Sequence, residues 1–404
     1  MKKALEITLG IVTSVGGFLE IGSLATAAQA GAQFGFQLTW AIALGTVCLI
    51  FLVEMSGRFS AVSHHTVVDA MRERFGFDFF LIPLVFVGLV TLLVLIAELG
   101  GVCLALQLVT GLAFPWFALP VGFAVWLLLW KGTFGVIEEG VSLLGLVTVC
   151  FLVAVFWLHA PLRDVAAGLI PSRPAHDRAQ YWFIAVSILG ASISPYLFYF
   201  YSSGAIEDRW DESHLNINRM VATLGMTFGG VLSAAVLVVA AIVFEPRNIR
   251  IERYDQIALI LTEPFGWWGF VLFAISLGIA CLGAALEITL ALTYMVSQGF
   301  GWMWGKNARP REAARFTAMY TSIVIVATLF VLTGLEPLKL TVLSMALTAA
   351  TLPIAVVPFL VLMNDEHYVG DHGNSWVGNT IVLLITALAF VLAVVSLPLE
   401  IAGS

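Results

Sequence analysis

Gly16-Gly17-Phe18-Leu19-Glu20-Ile21-Gly22-Ser23 and, far downstream, Gly190-Ala191-Ser192-Ile193-Ser194-Pro195 are the two stretches on which the fold turns. Each interrupts an apolar run. The first sets glycines and a carboxylate in the middle of such a run; the second sets a proline there, which removes a helix hydrogen bond. The interrupted runs are about 20 residues long, the length at which an α-helix crosses a bilayer. Lipid offers the backbone no hydrogen-bond partners, so runs of this kind must be helical. The short alternating segments that would build a β-barrel do not occur in the sequence.

The remainder of the chain has the same character. Of its 404 residues, 60% are hydrophobic and only 11% are charged, whereas soluble domains carry about 25% charged residues. With a mean hydropathy of +0.99, there is too little polar surface to cover a water-soluble core. Eleven spans can be drawn, near 7–32, 38–56, 80–110, 113–130, 138–159, 181–203, 219–244, 266–297, 316–333, 339–363 and 376–401. They predict an all-α polytopic membrane protein, a single transmembrane domain over 1–404. The longest connections, 57–79 and 245–265, are about 20 residues each. Met1-Lys2-Lys3, an apolar stretch and Ala25-Thr26-Ala27 imitate a signal peptide. Glu20 breaks that apolar core and a second span follows directly, so the segment reads as the first transmembrane helix.

Charge and cysteines exclude other classes. The net charge is -7 and no Lys/Arg-rich tract is present, so no nucleic-acid partner is expected. Cys48, Cys103, Cys150 and Cys281 all fall inside apolar runs without close spacing, as small buried hydrophobes do; neither a disulfide framework nor a zinc site is indicated. His-Glu-x-x-His, a serine nucleophile elbow and a phosphate-binding glycine loop are all missing, so an enzyme is not expected, nor any cofactor.

With a cytoplasmic N-terminus the inside basic residues are Lys2, Lys3, Arg58, Arg72, Arg74, Lys131, Arg209, Arg219, Lys306, Arg309, Arg311 and Arg315. The outside set is Arg163, Arg173, Arg178, Arg247, Arg250, Arg253 and Lys339. Twelve against seven favours this orientation in a prokaryotic inner (plasma) membrane, with the C-terminus outside. The two broken spans, the first and the sixth, lie five apart at matching positions in two halves. That pairing predicts inverted repeats, about 7–159 and 181–363, plus an extra helix at 376–401. In secondary transporters of this design the cargo binds where two discontinuous helices unwind near the midplane.

Ionisable groups at membrane depth cost several kcal/mol and face the bundle interior. Three stand out: Glu20 in span 1, Glu98 in Ala97-Glu98-Leu99-Gly100-Gly101 of span 3, and Glu287 in Ala285-Leu286-Glu287-Ile288-Thr289 of span 8. No Lys or Arg sits at comparable depth. Three carboxylates without a basic partner make a place for cations or protons, although Glu98 and Glu287 also fit structural, hydrogen-bonded roles. His64 and His65 are adjacent, so on a helix they point apart and do not form a metal pair. Of Tyr196, Tyr199 and Tyr201, Tyr196 is near enough to the second break to line a cavity.

The chain resembles the Nramp family of divalent-metal transporters. Leu24 to Trp40 is similar to the stretch that follows that family's Asp-Pro-Gly-Asn motif. Further likeness lies in Arg72-Glu73-Arg74-Phe75-Gly76, Ala97-Glu98-Leu99-Gly100-Gly101, Leu189-Gly190-Ala191, Leu352-Pro353, Asn364-Asp365 and Tyr368-Val369-Gly370. The resemblance implies a LeuT-like 5+5 inverted repeat plus one extra helix. Its substrate motifs are altered here. Asp-Pro-Gly-Asn is replaced by Glu20-Ile21-Gly22-Ser23, and the span 6 Met-Pro-His by Ser194-Pro195-Tyr196. The second histidine of that helix becomes Tyr201, the span 3 aspartate Leu95 and a span 10 glutamine Met345, while the nearby glutamate is kept as Glu98.

On this resemblance the expected substrate-binding residues are Glu20, Gly22, Ser23, Ala191, Ser194 and Tyr196. Glu98, Glu287 and Tyr201 are expected on a proton or accessory pathway. Exchanging the methionine sulfur for Ser194 leaves an all-oxygen metal shell of Glu20, Ser23, Ser194 and the carbonyls around Ala191, which suits Mg²⁺, Ca²⁺ or Mn²⁺. The lost histidines and aspartate imply weak or no proton coupling. The expected protein is a monomeric transporter of a small inorganic ion in the lipid bilayer, moving Mg²⁺ or Mn²⁺ by alternating access. The alternative cargo on the same fold is a small anion such as bicarbonate, or a neutral solute, held by the positive ends of the half-helices.

Overall fold

The computed structural model describes residues 20–132, 146–174, 176–308 and 310–403. The elements that matter are α1 (Ile21–Phe34), α2 (Thr39–Ser63), α3 (Val67–Phe75), α4 (Phe77–Thr110), α5 (Ala118–Lys131), α6 (Cys150–Trp157) and α7 (Arg178–Ser192). They continue with α8 (Pro195–Glu207), α9 (Leu215–Phe244), α10 (Trp267–Gly299), α11 (Ala314–Leu332), α12 (Pro337–Leu362) and α13 (Trp376–Gly403). Among the described residues, nine segments are long and apolar enough to cross a membrane, counting α7 and α8 as one. The spans expected near 7–32 and 138–159 are described only in part, as α1 and a shorter apolar helix over Val147–Trp157. Gly16 to Leu19, half of the first quoted stretch, lie outside the described residues.

The connection expected at 57–79 is mostly helix. Helix α2 runs to Ser63, and α3 follows at once because the Thr66 hydroxyl accepts the Asp69 amide at 3.1 Å as an N-cap. Gly76, at φ 86°, ends α3 and turns the chain into α4. Val67, Val68, Ala70 and Met71 bury one face of α3, while its arginines reach other helices: Arg72 donates to the Gln298 carbonyl at 2.7 Å and Arg74 to Asp365 at 2.8 Å. Charged residues hid this helix from a hydropathy reading. The connection 245–265 likewise folds back on the bundle, burying Ile251, Tyr254, Ile257, Ile260 and Leu261.

Helix α4 packs extensively on α10, α1 on α9, α7 on α12 and α2 on α9. Part of this packing has the symmetry of a 5+5 repeat: α4 with α10, α2 with α9, α5 with α11, and α1 on α9 against α7 and α8 on α2 keep their form when each span is exchanged for the one five places on, whereas the contacts of α12 with α7 and α4 do not. Large apolar side chains such as Leu89, Phe123 and Leu384 face outward, as lipid requires, and exposed Trp116, Trp157, Trp267, Trp268 and Trp376 stand at helix ends in the manner of interfacial anchors. The two interrupted spans lie innermost. Every residue from Phe183 to Phe200 is buried, and so is every residue from Glu20 to Ala32.

Such close packing depends on small residues. A Cβ placed on Gly31 of α1 would lie 2.2 Å from the Leu237 carbonyl oxygen and 2.8 Å from Ala240 Cβ on α9, where backbone leaves no room to yield. Gly31→Val should therefore cost roughly 1–3 kcal/mol, read as a lower melting temperature in detergent. Gly88→Ala is the control, because its Cβ would meet Leu292 and Met295 at an ordinary 3.5 Å. Equal melting of both variants would refute the packing account.

Candidate substrate site

The sixth span breaks after Ser192. Ile193 (φ -118°, ψ 51°) and Ser194 (φ -69°, ψ 120°) leave helical geometry, and α8 restarts at Pro195, whose missing N–H is an orphan at a helix start in any case. The break frees the last carbonyls of α7 and aims them inward. Ser194 Oγ lies 3.3 Å from the Gly190 carbonyl oxygen, 3.5 Å from that of Ala191 and 3.4 Å from Glu20 Oε1. A hydroxyl has one proton, so it can donate to one of these three acceptors at a time.

Glu20 arrives from the start of α1. Its backbone is extended (φ -99°, ψ 173°) and it forms the N-cap of α1. Its carboxylate crosses to the second break, where Oε2 accepts the Tyr196 phenol at 2.7 Å. Ser23, one turn into α1, folds its hydroxyl back on Glu20: Oγ accepts the Glu20 N–H at 3.1 Å and lies 2.9 Å from the Glu20 carbonyl. Ser23 thus fixes the loop from which Glu20 projects. Glu20, Ser194 and Tyr196 are all buried, so the site is closed to solvent in this structure.

The other carboxylates border this cluster. Glu98 on α4 accepts the Ile21 N–H at 3.0 Å through Oε1, while its Oε2 is buried with no hydrogen-bond partner among the described residues. Glu287 on α10 is buried as well. Tyr201 lies elsewhere: its ring meets Trp210 edge-on at 5.6 Å and stands over Gly57. His64 ends α2 in the left-handed region at φ 57°, and the His65 ring faces Glu73 at 3.5 Å. All four cysteines are free.

Two neighbours were not singled out from the sequence as site residues. Met345 of α12 reaches both breaks: a Cβ on Gly22 would sit 2.2 Å from its terminal methyl and 2.6 Å from its sulfur, and a Cβ on Gly190 would sit 1.8 Å from its carbonyl oxygen. Gly22 therefore serves as space for Met345 rather than as a contact of its own. Cys281 of α10 lies over Gly101, beside Ile21. The sequence marks Met345 only as standing where the family resemblance has a span 10 glutamine, and Cys281 carries no sequence signal of its own, since a thiol in an apolar helix looks like ordinary packing. No cluster of three or more His, Cys, Asp and Glu side chains suited to a metal occurs among the described residues. The cluster instead joins one carboxylate to hydroxyls and backbone carbonyls, a hard-oxygen donor set.

Solved structures share this architecture. A manganese transporter from Eremococcus coleocola, in complex with an aromatic bis-isothiourea compound, superposes with a TM-score of 0.80 at 19% identity, covering 98% of this chain and 86% of that one. Mhp1, a nucleobase-cation-symport-1 transporter in a closed conformation with bromovinylhydantoin bound, gives 0.61 at 14%, over 96% and 91%. MhsT in complex with L-phenylalanine gives 0.57 at 14%, over 96% and 97%. At these identities the likeness establishes the fold, that of LeuT-like transporters. The sequence profile described as natural resistance-associated macrophage protein-like matches residues 10–398. It spans nearly the whole chain, both breaks included, and the chain therefore belongs to the Nramp family of membrane transporters.

Proposed function

We propose that the protein is a secondary transporter of a divalent metal cation, and that the ion is a hard one, Mg²⁺ or Mn²⁺, carried by alternating access with weak or no proton coupling. The observation that carries this reading is the surplus of acceptors at the second break. The Gly190 and Ala191 carbonyl oxygens and Glu20 Oε1 all lie 3.3–3.5 Å from Ser194 Oγ, which has one proton to give. Several lone pairs around one proton and one negative charge are what a hard cation completes. The family's metal chemistry and the manganese cargo named for the Eremococcus coleocola protein agree with a divalent ion.

What counts against an anion is that glutamates already occupy the positive ends of the half-helices. The first amide of α1 points at Glu98, and Glu20 sits beside the start of α8. An anion would meet two carboxylates there. Weak proton coupling is supported by Leu95 and Tyr196, which carry no group that titrates near neutral pH where the family resemblance expects an aspartate and a histidine.

Uptake of Mg²⁺ or Mn²⁺ into proteoliposomes tests the reading. Glu20→Ala should reduce flux to that of empty vesicles; flux equal to wild type would end it. A protonophore that collapses the pH gradient should leave the wild-type rate unchanged, and a rate that follows the gradient would remove the uncoupled version while sparing the cation.

Tyr196 gives a sharper test. Its phenol satisfies Glu20 Oε2 at 2.7 Å, so Tyr196→Phe strands a buried carboxylate oxygen and should cost the protein prepared without metal about 1.5–3 kcal/mol. A cation restores that oxygen's partner. Saturating Mn²⁺ should accordingly raise the melting temperature of Tyr196→Phe by more than it raises that of wild type. A smaller rise would mean that the phenol itself is needed to hold the ion.

A further inference from the structure

A cavity of about 530 Å³ opens between α2, α9 and the start of α13, well away from the Glu20 cluster. Its polar end holds Arg58, Arg219, Thr223 and Ser375; Ile50 and Phe51 form its apolar end. The charges there do not cancel. Arg58 spends its guanidinium on both oxygens of Glu54, at 3.0 and 2.9 Å, and on Asn374 and the His372 carbonyl, so that pair is neutral and rigid. Arg219 is exposed and forms no ion pair among the described residues. It is the uncompensated cation of the cavity.

Two further features fit an anion at Arg219. Ser375 caps α13, its Oγ accepting the Gly378 amide at 3.1 Å. That leaves the hydroxyl proton free to donate, beside the helix's positive end. The apolar end, in turn, continues into lipid-facing surface: Val47 lies one turn beyond Phe51 on α2, and Met220 and Leu224 line the outer side of α9, all exposed. Exposed Trp376, at the start of α13, marks this level as the membrane interface. A free phosphate would use the polar end alone.

We infer that this cavity binds an anionic glycerophospholipid, its phosphate at Arg219, Thr223 and Ser375 and an acyl chain along Ile50, Phe51 and Val47. Basic pockets between transmembrane helices on the cytoplasmic side take lipid headgroups in this way, and the basic-residue distribution places this cavity on the face expected to be cytoplasmic. The lipid would tie α13, which follows both repeats, to the α2–α9 pair that packs against the interrupted spans.

Delipidated full-length protein in detergent, given phosphatidylglycerol, phosphatidylcholine or inorganic phosphate separately, tests this by native mass spectrometry. Wild type should retain phosphatidylglycerol in preference to phosphatidylcholine. Arg219→Gln should bind phosphatidylglycerol about fivefold more weakly, while Arg219→Lys and the distant Arg173→Gln should match wild type. Arg219 is exposed and unpaired, so the lipid-free melting temperature of Arg219→Gln should not move; it serves as the folding check. Equal phosphatidylglycerol retention by Arg219→Gln and wild type would overturn the site. Phosphatidylcholine held as tightly, or inorganic phosphate competing the lipid away, would overturn its lipid specificity.

Discussion

A carboxylate buried among membrane helices with no basic side chain beside it must take its partners from the backbone and from hydroxyls, and Glu20 does so. Moving such a group out of water costs several kcal/mol, which a continuous helix cannot repay, because its amides and carbonyls are already spent on one another. The start of α1 and the break between α7 and α8, brought together, free those groups. The break at Ile193-Ser194 supplies the hydroxyl of Ser194 and, through Pro195, the turn that carries Tyr196 to Glu20 Oε2. Helix α1, starting at Ile21, offers its first amide to Glu98. The irregular backbone and the buried acids are thus one feature; neither is stable without the other.

The same constraint dictates what surrounds the breaks. Unwound backbone survives at membrane depth only where protein covers it, and Glu20 to Ala32 and Phe183 to Phe200 are buried without exception. Around them α4 packs on α10 and α2 on α9, pairings that two repeats of opposite orientation naturally bring together. Covering extends to the connections. The segment 245–265 tucks Tyr254 inward to Thr341 at 3.1 Å and receives the Gln29 amide on the Ile251 carbonyl at 3.2 Å, covering one end of α1.

Much of this was legible in the sequence because lipid simplifies the code. Where water is absent, length and apolarity alone mark a helix, and a glycine or proline in mid-run is conspicuous. Glu20, Ser194 and Tyr196 could be paired from their positions at the two breaks, and the structure places them within hydrogen-bonding distance. Three things escaped. Helix α3 is amphipathic, so a hydropathy reading made it a loop. Cys281 is indistinguishable from a packing residue until α10 is seen against Gly101, and Met345, marked only as replacing the family's glutamine, shows its reach once α12 is seen against Gly22. Tyr201 lies on the same half-helix as Tyr196 but at a different level, and spacing along a helix could not say that it faces Trp210 rather than Glu20.

Charge gives the last step. A divalent ion beside Glu20 alone would leave one positive charge unbalanced in a dry, closed site, with the positive ends of α1 and α8 adding to it. Glu98 accepts the Ile21 amide and keeps one oxygen without a hydrogen-bond partner among the described residues, and Glu287 is buried on α10. If the ion is held as proposed, Glu20 would touch it, while Glu98 and Glu287 would stand behind it as further acidic groups. That division also explains how a site can lose a methionine and two histidines and still suit a divalent metal. On the proposed reading attraction would come from carboxyl groups, of which Glu20 stands where the family motif has an aspartate and Glu98 is kept, while the span 3 aspartate is lost to Leu95.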